Sequence, residues 1–219
     1  MHVGISSGQN SKTSFGSLRP QKRLCEEVLK EFKQEFPYLK SSSKIGSQMY
    51  RHWDDPKYQG VISRVYKKFE KMQERIYDYQ YNRFFSRCYD SYNHFLEALK
   101  STMKSKGMAN CWEDSVLIHD ALNKKGLKPE NIEMVVETNI GGGNHFVSVV
   151  GLKKGANIRN PKTWGSKAMM VDGWQGFVMK ATDGIEYLKK ELAKNQPVIK
   201  VYFKSADPKM SVNYLPPSK

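Results

Sequence analysis

Asn110-Cys111-Trp112-Glu113-Asp114-Ser115 opens the stretch around which the rest of the chain reads. Asparagine is a good N-cap residue, and a glutamate three positions later can reach back to the cap N–H, so the two spell a capping box. Behind them Trp112, Val116, Leu117, Ile118, Ala121 and Leu122 occupy more than one helical stripe, which predicts a helix buried on several sides. Lys124, Lys125 and Gly126 end it, with cations in the last turn and then a residue that tolerates left-handed backbone. Cys111 therefore falls at the first helical position. Unpaired N–H groups and the positive end of the helix dipole favour a thiolate there, and the thiolate is the nucleophilic form.

A nucleophile needs a base, and the base needs a group to orient it. Gly141-Gly142-Gly143-Asn144-His145 leads into an apolar strand, Phe146 to Leu152, and places an imidazole at its start. Three glycines before a strand read as a flexible hinge that lets backbone approach closely. They are not a phosphate cradle, because no Lys-Ser or Lys-Thr follows and a strand rather than a helix comes next. Ala168-Met169-Met170-Val171-Asp172-Gly173-Trp174 places a carboxylate at the end of another strand. Asp-Gly is also a strong turn pair, and a carboxylate at a turn can still orient His145 through one ring nitrogen. The rival base, His119, lies eight residues along the Cys111 helix, roughly 12 Å up its axis, and reads as a packing or surface histidine. His2, His52 and His94 have no supporting context. Asp183 competes for the acid's role but sits better as the cap of a later helix. The plain alternative for Cys111 is a buried small hydrophobe.

Cys-Trp at a helix start, Asn-His leading a strand, and an acid shortly followed by Trp, in that order, resemble the papain-like and transglutaminase-like cysteine enzymes over roughly the last half of the chain. Asp172, where the papain family has Asn, is more like the transglutaminase branch. In the papain signature Cys-Gly-[Ser/Ala]-Cys-Trp only the final Cys-Trp agrees, since the window here is Met108-Ala109-Asn110-Cys111-Trp112. Papain-like enzymes carry an oxyanion-hole Gln six residues before the nucleophile; here that position is Ser105. The resemblance implies a Cys111–His145–Asp172 triad, with Asn110 in support and Trp174 shielding the His–Asp bond from water. It implies thiol-dependent acyl transfer on protein amides, a protein substrate, and no metal or cofactor. Water on a Gln side chain gives a deamidase, a Lys amine gives a transglutaminase, and water on a peptide bond gives a cysteine protease. The chain also looks like bacterial effector or toxin domains that are secreted into host cells and modify host proteins.

The 219 residues suit one large domain or a core with a helical extension, and 39% hydrophobic and 12% aromatic residues can fill that core. A net charge of +14 attracts acidic partners: an acidic protein, nucleic acid or an anionic membrane surface. The rival class is thus a non-enzymatic basic module binding nucleic acid or anionic lipid. Cys25, Cys88 and Cys111 are odd in number and far apart, which supports neither a disulfide framework nor a zinc ribbon and points to a reducing, cytoplasmic compartment. The polar Met1 to Gly16 segment does not read as a signal peptide, and no run approaches the roughly 18 apolar residues of a membrane span.

In chain order, residues 1–20 read as a tail and 21–105 as a helical N-terminal part. Residues 106–208 are the cysteine-enzyme core and 209–219 a second tail. A first helix over Gln21 to Phe36 carries Leu24, Cys25, Val28, Leu29, Phe32 and Phe36 at helical spacing. A second follows Asp55-Pro56 with Val61, Val65, Phe69, Met72, Ile76 and Tyr79, and a third runs from Phe84 to Met103. Tyr77, Tyr79, Tyr81, Tyr89 and Tyr92 interleave with Lys67, Lys68, Lys71, Arg75, Arg83 and Arg87, a pattern that fits either a nucleic-acid face or aromatics packing between helices beside solvated charges. Residues 104–109 read as a loop. Strands are predicted over Ile132 to Thr138, Phe146 to Leu152, Ala168 to Val171, Gly176 to Lys180 and Val198 to Phe203, with a helix capped by Asp183 before the last. The expected fold class is α+β, a helical N-terminal part followed by a Cys-bearing helix packed on an antiparallel sheet.

Overall fold

The computed structural model describes residues 18–39, 89–138, 141–192 and 198–207, together with the single positions 57, 67 and 71. The expected second helix, the start of the third and Cys88 lie outside the described residues. Most of the Tyr/Lys/Arg interleave lies outside them too.

The fold is α+β. Its described elements are α1 (Leu18–Glu35), α2 (Tyr92–Lys106), α3 (Cys111–Lys124), β1 (Glu130–Thr138) and β2 (Gly141–Val150), followed by β3 (Met169–Asp172), β4 (Phe177–Lys180), α4 (Ala181–Leu192) and β5 (Val198–Ser205). The strands form one antiparallel sheet in the order β4-β3-β2-β1-β5. β3 alternates its side chains between two apolar layers, as the period of a strand requires. Met169 and Val171 join α1, α2, α3 and Val150 on one face. Met170 joins Val147, Val149, Leu188 of α4 and Phe203 on the other. All four β3 residues are buried, so the sheet is covered on both faces.

Several boundaries differ from the sequence reading for identifiable reasons. α1 begins at Leu18, inside the expected tail. α2 begins at Tyr92, where the Ser91 hydroxyl accepts the His94 N–H at 3.2 Å, and it runs through part of the expected loop to Lys106. Gly141 to Gly143 are not a hinge: they pair with Thr138, Glu137 and Val136 across β1, and this ladder outweighs the low strand propensity of glycine. β2 ends at Val150 rather than Leu152. Asp183 is in the first turn of α4 rather than at its cap, because the helix starts at Ala181. The stop of α3 is as expected, with Lys125 at the cap and Gly126 at φ 78°.

α3 is docked by polar as well as apolar groups. The Ser115 hydroxyl donates to Asn131 Oδ1 on β1. The Ser148 hydroxyl on β2 donates to the Ser115 carbonyl at 3.3 Å. The turn between β3 and β4 presses on the same helix. A Cβ at Gly173 would lie 2.5 Å from Ile118 Cδ1 and 3.1 Å from Asp114 Cβ. Ile118 is fully buried and has little room to move. Gly173→Ala is therefore expected to cost about 1–3 kcal/mol, the usual range for overpacking, read as a lower urea midpoint at unchanged slope. An unchanged midpoint would show that the turn slides freely on α3.

None of the described helices is long and apolar enough to cross a membrane.

Candidate active site

Cys111 is the first residue of α3, and its side chain is partly exposed. Asn110 holds extended backbone at the cap and donates its N–H to Glu113 Oε2 at 3.0 Å, which fixes the first turn. Glu113 and Asp114 are both buried, at 4% and 5% exposure, so two acidic residues occupy the electropositive end of the helix beside the sulfur. The sequence does not foretell that burial.

His145 and Asp172 meet. His145 Nε2 donates to Asp172 Oδ2 at 2.6 Å, and the pair is sealed, with His145 2% and Asp172 0% exposed. The second carboxylate oxygen, Oδ1, accepts the Gln175 N–H at 2.8 Å, and Gly176 N–H closes the turn on the Asp172 carbonyl at 2.8 Å. Asp172 is thus at once turn former and imidazole partner. Trp174, carried by that turn, sets its ring against His145 at 5.2 Å between centroids and 60° between planes. Lys33 of α1 donates to the Gly176 carbonyl at 3.0 Å, a further tie on the turn.

The Cys111 side chain acts on the same imidazole, favouring its protonated form together with Asp172. The Ser148–Ser115 contact holds α3 over β2. Cys111 lies four residues, about 6 Å, from Ser115 along α3, and His145 three residues, about 10 Å, from Ser148 along β2. With Nε2 engaged by Asp172, Nδ1 is the nitrogen left for the sulfur. Burial opposes the imidazolium, but the charge and hydrogen bond of Asp172, joined by Cys111, outweigh it and hold His145 up at about 10. At neutral pH His145 is therefore a proton donor.

The remaining candidates fall away from this centre. His119 is partly buried and lines a polar cleft with Tyr92 and Asn131 towards the other end of α3. Ser105 is exposed in the last turn of α2, with its hydroxyl on the Thr102 carbonyl at 3.1 Å, so it does not serve as an oxyanion donor. Cys25 is 0% exposed, and burial, with the charge of Glu26 adding to it, pushes its thiol up to about 12. Among the described residues no group of three or more His, Cys, Asp or Glu is placed to hold a metal ion.

No protein-family model, no curated protein and no solved structure matches the chain.

Proposed function

We propose that this chain is a thiol-dependent acyl-transfer enzyme acting on protein amides through Cys111, His145 and Asp172, in the manner of the papain-like and transglutaminase-like enzymes it resembles. The observation that carries this reading is one buried imidazole, bonded to Asp172 at 2.6 Å, whose protonated form the Cys111 side chain at the start of α3 also favours. A nucleophile, a base and an orienter brought to one place are the general signature of covalent catalysis by a thiol. An aspartate as orienter favours the transglutaminase or glutamine deamidase form over the protease.

Cys111 Sγ attacks the carbonyl carbon of a glutamine side chain. The backbone N–H groups at the start of α3 face the developing oxyanion. His145 passes its proton to the departing nitrogen, the C–N bond breaks and ammonia leaves. The thioester then yields to water, giving glutamate, or to a lysine amine, giving an isopeptide, with His145 taking up the proton of the attacking group. Asp172 keeps the ring oriented throughout.

The reaction class is read by mass spectrometry of protein mixtures incubated with the wild type and with Cys111→Ala. The expected result is a gain of about one dalton at glutamines, or a Gln–Lys cross-link, only with the wild type. Cleaved peptide bonds would move the assignment to the protease form. Identical spectra with both proteins across broad mixtures would sink the enzymatic reading.

A further inference from the structure

The connection between β2 and β3, residues 151–168, holds five cations and no acidic residue. Lys153, Lys154, Arg159, Lys162 and Lys167 are all exposed, and among the described residues none of them makes an ion pair. Some cations elsewhere are paired, Lys104 with Glu35 and Lys124 with Asp120, both at 2.8 Å. The segment is nonetheless built rather than loose. Thr163 Oγ1 donates to the Asn160 carbonyl at 2.7 Å, Trp164 Nε1 to the Asn157 carbonyl at 3.1 Å, and Lys153 N–H to the Trp164 carbonyl at 2.8 Å. Five like charges are thus held together by hydrogen bonds within the segment, and among the described residues they have no counter-charge. Beside them opens a largely apolar cleft of about 520 Å³, walled by Leu24, Leu127 and Leu152 and rimmed by Lys153, Lys154 and Lys167.

We propose that this face docks on an anionic lipid bilayer, the cations lying over the headgroups and the cleft taking up the first methylenes of a lipid chain. Unpaired cations beside an apolar receptor match a ligand that is anionic at one end and apolar at the other. Nucleic acid fits less well. Its single-stranded form wants exposed rings for stacking, and the one aromatic residue in the segment, Trp164, is 1% exposed with its N–H already spent. Leu127 follows the C-terminal end of α3, and Cys111 stands at the other end, about 20 Å away along the axis. A docked molecule would therefore keep the thiol clear of the bilayer. This inference does not depend on the proposed chemistry.

The test is co-sedimentation of the full chain with vesicles of phosphatidylcholine alone, or with about a third phosphatidylserine. Binding is expected only to the anionic vesicles and should fall as salt is raised. At roughly fivefold per cation, Lys153→Glu/Lys154→Glu/Lys167→Glu should weaken it on the order of 100-fold, and the matching Gln triple should weaken it in the same direction. Leu24→Asn should weaken binding at high salt, where charge is screened and the cleft contributes most. A control with the same charge change elsewhere, Lys180→Glu/Lys190→Glu/Lys204→Glu, should keep most of the binding, and Cys111→Ala should keep all of it. Thermal unfolding verifies that each variant is folded. Equal binding to neutral vesicles, equal loss in the control triple, or tighter binding of duplex DNA or polyglutamate than of the vesicles through the same lysines would overturn the proposal.

Discussion

Iodoacetamide at neutral pH is expected to alkylate Cys111 at least about 10³-fold faster than Cys25, and a folded His145→Ala protein is expected to lose most of that lead. Two independent factors set the size of the effect. Cys25 is 0% exposed, so the reagent must wait for the core to open. Its thiol is also raised to about 12, which leaves roughly one part in 10⁵ as thiolate at pH 7. Cys111 is partly exposed, holds the first position of a helix at its electropositive end, and acts on an imidazole that is held protonated. Removing that imidazole removes its positive charge, and with it the proposed activation of Cys111. It also leaves Asp172 buried without its partner, a change that costs about 3–5 kcal/mol in comparable pairs. Thermal unfolding of the same samples therefore has to accompany the rates, which come from peptide mapping over time. Similar rates at the two cysteines in the wild type, or a folded His145→Ala protein that labels as fast, would remove Cys111 from the nucleophile's role.

On the proposed mechanism, Asp172→Ala is expected to reduce turnover on the order of 10⁴-fold, the scale seen when the acid that holds a catalytic histidine is lost elsewhere. Asp172→Asn should fall between, because an amide can still orient the ring but carries no charge. The two substitutions separate orientation from electrostatics. With the carboxylate gone, burial acts on His145 against a weaker opposing field, so its pKa must fall from about 10, which an NMR titration of the ring resonances reads directly. The same shift makes a stability prediction with a definite sign. The folded-state value of about 10 lies above the ordinary 6.5. The stability contributed by the His145–Asp172 pair is therefore present in full below about pH 6.5 and lost as pH rises towards 10. The wild-type melting temperature should decline across that window, and Asp172→Asn should flatten the decline. A His145 titration unmoved by Asp172→Asn would contradict the pairing.

How much of this was legible beforehand depends on the range of the interaction. The Cys111 helix was readable because its start and stop are local: Asn110 and Glu113 are three residues apart, and Lys124 to Gly126 are consecutive. The burial of Cys25, Val28 and Phe32 followed from helical spacing within one element. The strands were found approximately, and their errors sit where a partner strand decides. Gly141 to Gly143 have poor strand propensity and became strand because β1 lies alongside them. Asp183 looks like a cap in sequence, yet α4 starts two residues earlier.

Residue types and order alone put Cys111, His145 and Asp172 forward as candidates, because a nucleophile at a helix start and a histidine and an acid at strand ends are features of short windows. Their meeting belongs to the tertiary structure. It rests on the Ser148–Ser115 bond that sets α3 over β2, and on Gly173, whose missing Cβ lets the Asp172 turn lie against Ile118. It rests also on the Gln175 N–H that aims the carboxylate. Each of these contacts needs a particular distance between segments or a particular turn geometry, and sequence spacing fixes neither. The same holds for the unpaired cations of residues 151–168. Their number is plain in the sequence, but only the fold determines that, among the described residues, none of them makes an ion pair and that an apolar cleft opens at their side.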